Sequence, residues 1–127
     1  MEIQVWQVYH LWCHYTLPNP KYKYVVIVSV EPYLWGFMIN SRMNALTAAC
    51  PELVACNVPL AATQHPFLDH DSFIDCTTLC SFSENELVNL KGQINAAVQS
   101  ELIKTVRVCE ELSPRHKRMI LAQLTKP

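Results

Sequence analysis

Two lysines spaced two residues apart, Lys21 and Lys23, stand at the mouth of an apolar run in "PNPKYKYVVIVSVEPYLWGFMINSR". A period of two puts both on one face of a strand. There they either meet an anion or act as solvent-facing guards against edge-to-edge pairing. Imidazoles supply a second kind of chemistry. "YHLWCHYTLPNPK" holds His10, Cys13 and His14, and an unperturbed histidine titrates near neutral pH, so it can move a proton. His14, nearer the loop, is the better general acid or base; His10 reads as an ordinary half-buried ring. Two histidines and one cysteine fall short of the four ligands of a structural zinc site, and further ligands would have to come from far along the chain. A third cluster, Asp69, His70, Asp71 and Ser72 in "LDHDS", sets two carboxylates about an imidazole, which suits a metal or an oriented base. The same residue types form turns by bonding their own backbone, and the turn is the preferred reading.

The elements that must position these groups come in two blocks. The first two thirds of the chain are rich in β-branched and aromatic residues. "QVYHLWC", "YVVIVSV", "LWGFMINS", "LVACNVPLA" and "SFIDCTTLC" read as strands, the second as a fully buried one. Ser83 and Glu86 make a capping box at "SENEL" that predicts a helix through about Leu90, ended by Gly92. In "INAAVQSELIKTVRVCEEL", residues Ile94, Ala97, Val98, Leu102, Val106 and Cys109 recur at helical spacing. Ser113 with Pro114 opens a last helix at "SPRHKRMILAQL". About five strands followed by helices predict an α+β domain on a small curled sheet or barrel.

Composition narrows the partners. The chain has 127 residues, half of them hydrophobic, enough for a single domain (1–127) with a core of its own. Ten basic residues against 11 acidic ones give no broad attraction to a polyanion, so any such contact needs a local patch. The densest basic cluster, Arg115, His116, Lys117 and Arg118, sits on the last helix and reads as a solvated face. No apolar run is long enough to span a bilayer, and "MEIQVWQVYH" lacks the basic start of a signal peptide, so a cytoplasmic protein without membrane contact is expected. Six scattered cysteines, none in a C-x-x-C pair, read mostly as buried reduced thiols, with disulfides formally open. Trp6, Trp12, Tyr15, Tyr22, Tyr24, Tyr33 and Trp35 crowd the first 35 residues. Alternation cannot bury them all, which leaves aromatic surface for bases or a protein partner.

Taken in order, four landmarks make the chain resemble the PemK/MazF-like toxins of type II toxin–antitoxin systems. They are a cation opening a buried strand in "KYKYVVIVSV", a strand ending in a hydroxyl residue in "FMINSR", the stretch "HPFLDHDSFIDCTTLCSFSENEL", and the terminal "ELSPRHKRMILAQL". Lys-Tyr stands where that family usually has Arg-Pro, a Gly-Asp start to the first strand is absent, and the segment 41–62 is longer and more apolar. The resemblance implies a small SH3-like β-barrel with C-terminal helices and a toxin that cleaves single-stranded RNA without metal or cofactor. It implies a partner set as well: an antitoxin protein occupying the groove, and a second copy in a homodimer. Matched position by position, Lys23 takes the place of the catalytic Arg and Ser41 that of the Thr or Ser, with Lys21 an equivalent cation one strand repeat away. His14 falls on the loop over the RNA groove, and Lys21, Tyr22, Tyr24 and Arg42 become RNA contacts. Lysine neutralises a phosphate but cannot grip two oxygens in a plane, so the same barrel as a non-catalytic RNA- or protein-binding module is the competing reading.

Overall fold

The computed structural model describes residues 2–13 and 20–126. Six strands are present among them: β1 (Gln7–Cys13), β2 (Lys21–Ser29), β3 (Trp35–Asn40), β4 (Asn57–Leu60), β5 (Ser72–Ser81) and β6 (Leu90–Gln93). They form one antiparallel sheet in the order β4-β5-β3-β2-β1-β6. Register shifts between Val8 and Tyr9, Ile27 and Ser29, and Gly36 and Met38 interrupt the ladders. Such bulges bend and twist strands, and here they accompany a sheet curled into a half-barrel. Two short helices, α1 (Ala45–Ala48) and α2 (Pro51–Val54), connect β3 to β4, and α3 (Ala96–Val108) and α4 (Pro114–Leu124) end the chain. The architecture is the α+β class expected: a curled sheet followed by C-terminal helices.

Alternation gives each face of the sheet its own core. Val26, Val28, Phe37 and Ile74 on one face pack with Leu102 and Val106 of α3 and Ile120 and Leu124 of α4. Tyr9, Leu11, Val25 and Ile27 on the other face pack with Phe82 and Leu87. The last five residues of β2, Val25 to Ser29, are buried without alternation because both faces are covered. The C-terminal helices start where side-chain caps permit. Asn95 Oδ1 accepts from Val98 N at 2.9 Å and Ser113 Oγ from His116 N at 3.1 Å, with Pro114 in the first turn of α4. Ile94, read as helical from its spacing, instead lies buried ahead of α3 and donates its N–H to Trp6 O at 3.0 Å.

Two elements differ from the sequence expectation, and each has a physical reason. The capping box forms, with Ser83 N donating to Glu86 Oε1 at 2.9 Å, but it closes only a 3₁₀ turn over Glu84–Glu86. A cap satisfies backbone donors at one end; it does not supply the length that makes a helix propagate. The following residues pair with the outer edge of β1 as β6, satisfying backbone groups that edge would otherwise expose. This strand takes the sheet to six rather than about five. "LVACNVPLA" likewise splits: Pro51 sits in the first turn of α2, and only Asn57–Leu60 pairs with β5.

Candidate functional site

Strand register decides which side chains share a surface. His10, Tyr24, Ile39, Ile74 and Val58 stand opposite one another across five strands, so they lie on one face. Tyr22, paired with Trp12, belongs to the same face by the period of two. The adjacent row, holding Leu11, Lys23, Asn40, Phe73 and Pro59, belongs to the opposite face.

At the open end of the first face is a hollow of about 240 Å³ bordered by His10, Tyr22, Tyr24, Ser41, Asp69 and His70, with Lys21, Lys23 and Ser72 also on its margin. Rings form its wall. His10 stacks on Tyr22 at 5.3 Å and lies 4.6 Å from Tyr24, while Trp12 meets Tyr22 edge-on at 5.0 Å. Tyr24 in turn touches Phe67 at 6.1 Å, and Phe67 touches His65 at 5.8 Å. His65 is buried and anchors this chain of rings. Its Nε2 accepts from Asn95 N at 3.2 Å, which puts the ring proton on Nδ1, 3.0 Å from Ala61 O. Gly92 makes room for Phe67, because a Cβ there would lie 2.8 Å from the phenyl ring. The wall is thus held from the core outward.

The loop before β5 closes the hollow. Ser72 Oγ donates to His70 O at 2.9 Å, the local bond expected of a turn at "LDHDS", and Asp71 Oδ1 accepts from Ala62 N at 2.9 Å, tying the loop to a residue nine positions earlier. Asp69 and His70 are left exposed on the hollow's border.

The cations are arranged differently from the hydroxyl. Lys23 Nζ donates to Asn40 Oδ1. Burial lowers its pKa below the ordinary lysine value; the neighbouring Lys21 charge acts in the same direction, and Cys13 and Asp75 oppose it. Asp75 is itself engaged, accepting from Thr77 N at 2.9 Å and Thr77 Oγ1 at 2.6 Å. Lys21 is exposed, as are Ser41 and Arg42, which follow the end of β3. The register therefore sets Ser41 nearest Tyr22, with the ammonium of Lys23 turned to the other face. His10 is lowered by burial and, secondly, by the Lys91 charge.

Of the residues singled out in the sequence, Lys21, Tyr22, Lys23, Tyr24 and Ser41 border one hollow. Arg42 is not on its border, and His14 lies outside the described residues. His10 and the Asp69–His70 pair, read as an ordinary ring and as a turn, stand at the same place. A signal for His10 existed in its parity with Trp12, but using it required the β1–β2 register. No three His, Cys, Asp or Glu side chains among the described residues are grouped to hold a metal ion. None of the described helices is long and apolar enough to cross a membrane.

A curled antiparallel sheet with this strand order and two C-terminal helices is a MazF-like fold. Among solved structures, the chain is similar to the Mycobacterium tuberculosis toxin MazF-mt6, with a TM-score of 0.61 over 84% of this chain and 98% of that one, at 16% sequence identity. No protein-family model matches the sequence, and no curated protein matches it as a relative.

Proposed function

We propose that the chain is the toxin component of a toxin–antitoxin system, one cytoplasmic domain that cleaves single-stranded RNA without a metal. The observation that carries this reading is the hollow itself. It gathers cations, a hydroxyl, two imidazoles and an aromatic wall at the open end of a MazF-like sheet. Cleavage requires the 2′-hydroxyl to lose a proton as it attacks phosphorus, the 5′-oxygen to gain one, and the phosphorane charge to be neutralised. A histidine held mostly neutral is suited to take the proton, which is the role His10 fills in this hollow, with His70, also on its border, as the donor. Ser41 and Lys23 are proposed to share the phosphate, Ser41 from this face, while Lys23, whose ammonium is turned to the other face on Asn40, must leave Asn40 and swing round the strand edge onto a phosphate oxygen to act. Lys21, Tyr22, Tyr24 and Arg42 hold the RNA, and His14 is a further candidate for proton transfer. A homodimer and an antitoxin that covers the hollow complete the proposal.

The engagement of Lys23 by Asn40 favours a second reading, in which the same surface binds RNA or protein without cleaving. Cleavage of a single-stranded RNA in EDTA separates the two. The nuclease reading expects cleavage by the wild type and a loss of about 100-fold in Lys23→Ala and Ser41→Ala, the scale of one removed electrostatic contact in a transition state. A wild type that binds RNA and leaves it intact establishes the second reading instead.

A further inference from the structure

The hollow contains a carboxylate that neither the turn nor the proposed chemistry uses. Asp71, two residues on, is bound to Ala62 N, and the Ser72 hydroxyl is committed to His70 O. Asp69 is exposed, borders the hollow and has no hydrogen bond or ion pair with the described residues. Nearby, Tyr22 is 62% exposed. His10 stacks on that ring and Trp12 meets it edge to face, so two neighbours hold the ring while most of the residue stays open to a further planar group. Fixed aromatic rings of this kind bind nucleobases by stacking, with little regard to which base is present. Discrimination must then come from hydrogen bonds to the base edge.

An ionised carboxylate only accepts. Among the four RNA bases, guanine alone presents two adjacent donors, N1–H and the N2 amino group, at the spacing of two carboxylate oxygens. Adenine and cytosine each present one amino donor beside a ring acceptor, and uracil one imino donor between two carbonyls. We propose that the hollow is a guanine-reading subsite, in which the base stacks on Tyr22 and its donor edge is bound by both oxygens of Asp69. The proposal rests on the reading of this surface as an RNA site; it specifies a residue and a base that the fold leaves open. A well-formed bidentate contact discriminates by about 5- to 150-fold.

Binding tests it without reference to cleavage. The probes are fluorescein-labelled RNA pentamers with 2′-O-methyl groups at every position, so none can be cut, carrying G, A, C, U or inosine at the centre of a uridine run. Anisotropy titrations of the wild-type protein are expected to show the guanine pentamer bound about 10-fold tighter than the A, C and U pentamers. Inosine, which lacks the N2 amino group, loses most of that preference on the unaltered protein. Asp69→Asn, an exposed isosteric change, brings the guanine pentamer down to the uridine level, and Tyr22→Ala weakens all five together. Equal affinities for all five pentamers, absence of binding, or a guanine preference that survives Asp69→Asn overturns the proposal. A protein that cleaves RNA but shows no such preference keeps the nuclease reading and loses this one. A protein that prefers guanine but leaves RNA intact does the reverse.

Discussion

At the scale of single residues, the protonation of His10 gives the clearest consequence. Its pKa lies below the ordinary 6.5 because burial and Lys91 both disfavour the imidazolium. The folded state therefore binds fewer protons than the unfolded chain between the lowered value and 6.5. Stability associated with this residue is complete above pH 6.5 and declines as pH falls through the folded value. If His10 is the general base, the acid limb of the cleavage profile lies below pH 6.5, and His10→Gln removes that limb along with most of the rate. Initial rates from pH 5 to 8 check this, and a wild-type limb above 6.5 would rule out the assignment. Residue chemistry was only partly legible in the sequence. Lysines next to a buried strand stood out, because a charge beside an apolar run is conspicuous. His10 and Asp69 stood out as well but drew the readings of an ordinary ring and a turn, because their significance lies in what stands opposite them after folding. Parity also separates what the family resemblance paired: Lys23 and Ser41 border one hollow from opposite faces of the sheet.

At the scale of elements, β6 shows how a local signal yields to a distant partner. The capping box at Ser83 and Glu86 was readable and is present. The vacant edge of β1 was not readable, since it lies about 80 residues earlier, and it converts Leu90–Gln93 to a strand. By contrast, the Ser113–Pro114 start of α4 needs no distant partner and is where the sequence places it. Gly92 links this strand to the hollow through Phe67, Tyr24 and His10. A methyl group there must displace the phenyl ring, so Gly92→Ala is expected to cost about 1–3 kcal/mol, the range for an overpacked site. Because the ring can shift where backbone could not, the variant should still fold. Its distinctive signature is a changed near-ultraviolet circular dichroism band from the connected aromatic rings, together with a lower thermal midpoint. A lower midpoint with an unaltered aromatic band would show that the rings are not mechanically connected.

At the scale of the whole molecule, the C-terminal helices stabilise the sheet that carries the hollow. Leu102 and Ile120 are fully buried between α3, α4 and the strands. Truncating either to alanine is expected to cost about 2–5 kcal/mol, measured by urea denaturation. Position-independent features such as the apolar fraction and the switch from β-rich to helix-rich sequence made the fold class legible; strand order, set by contacts far apart in the chain, was not. The cysteines extend the consequence to how opening can be watched. None of the six cysteines is in a disulfide, and Cys13, Cys56, Cys76, Cys80 and Cys109 are buried, with Cys50 half-buried. Burial also raises the Cys56 and Cys76 pKa values, disfavouring the thiolate that reacts. Each molecule therefore carries internal reporters, distributed over both cores, that an alkylating reagent can read only when the surrounding structure parts. If the two faces open together, masses advance from one modified thiol to six with no persistent intermediate; if one core opens first, Cys13 and Cys80 are labelled on a different clock from Cys56, Cys76 and Cys109.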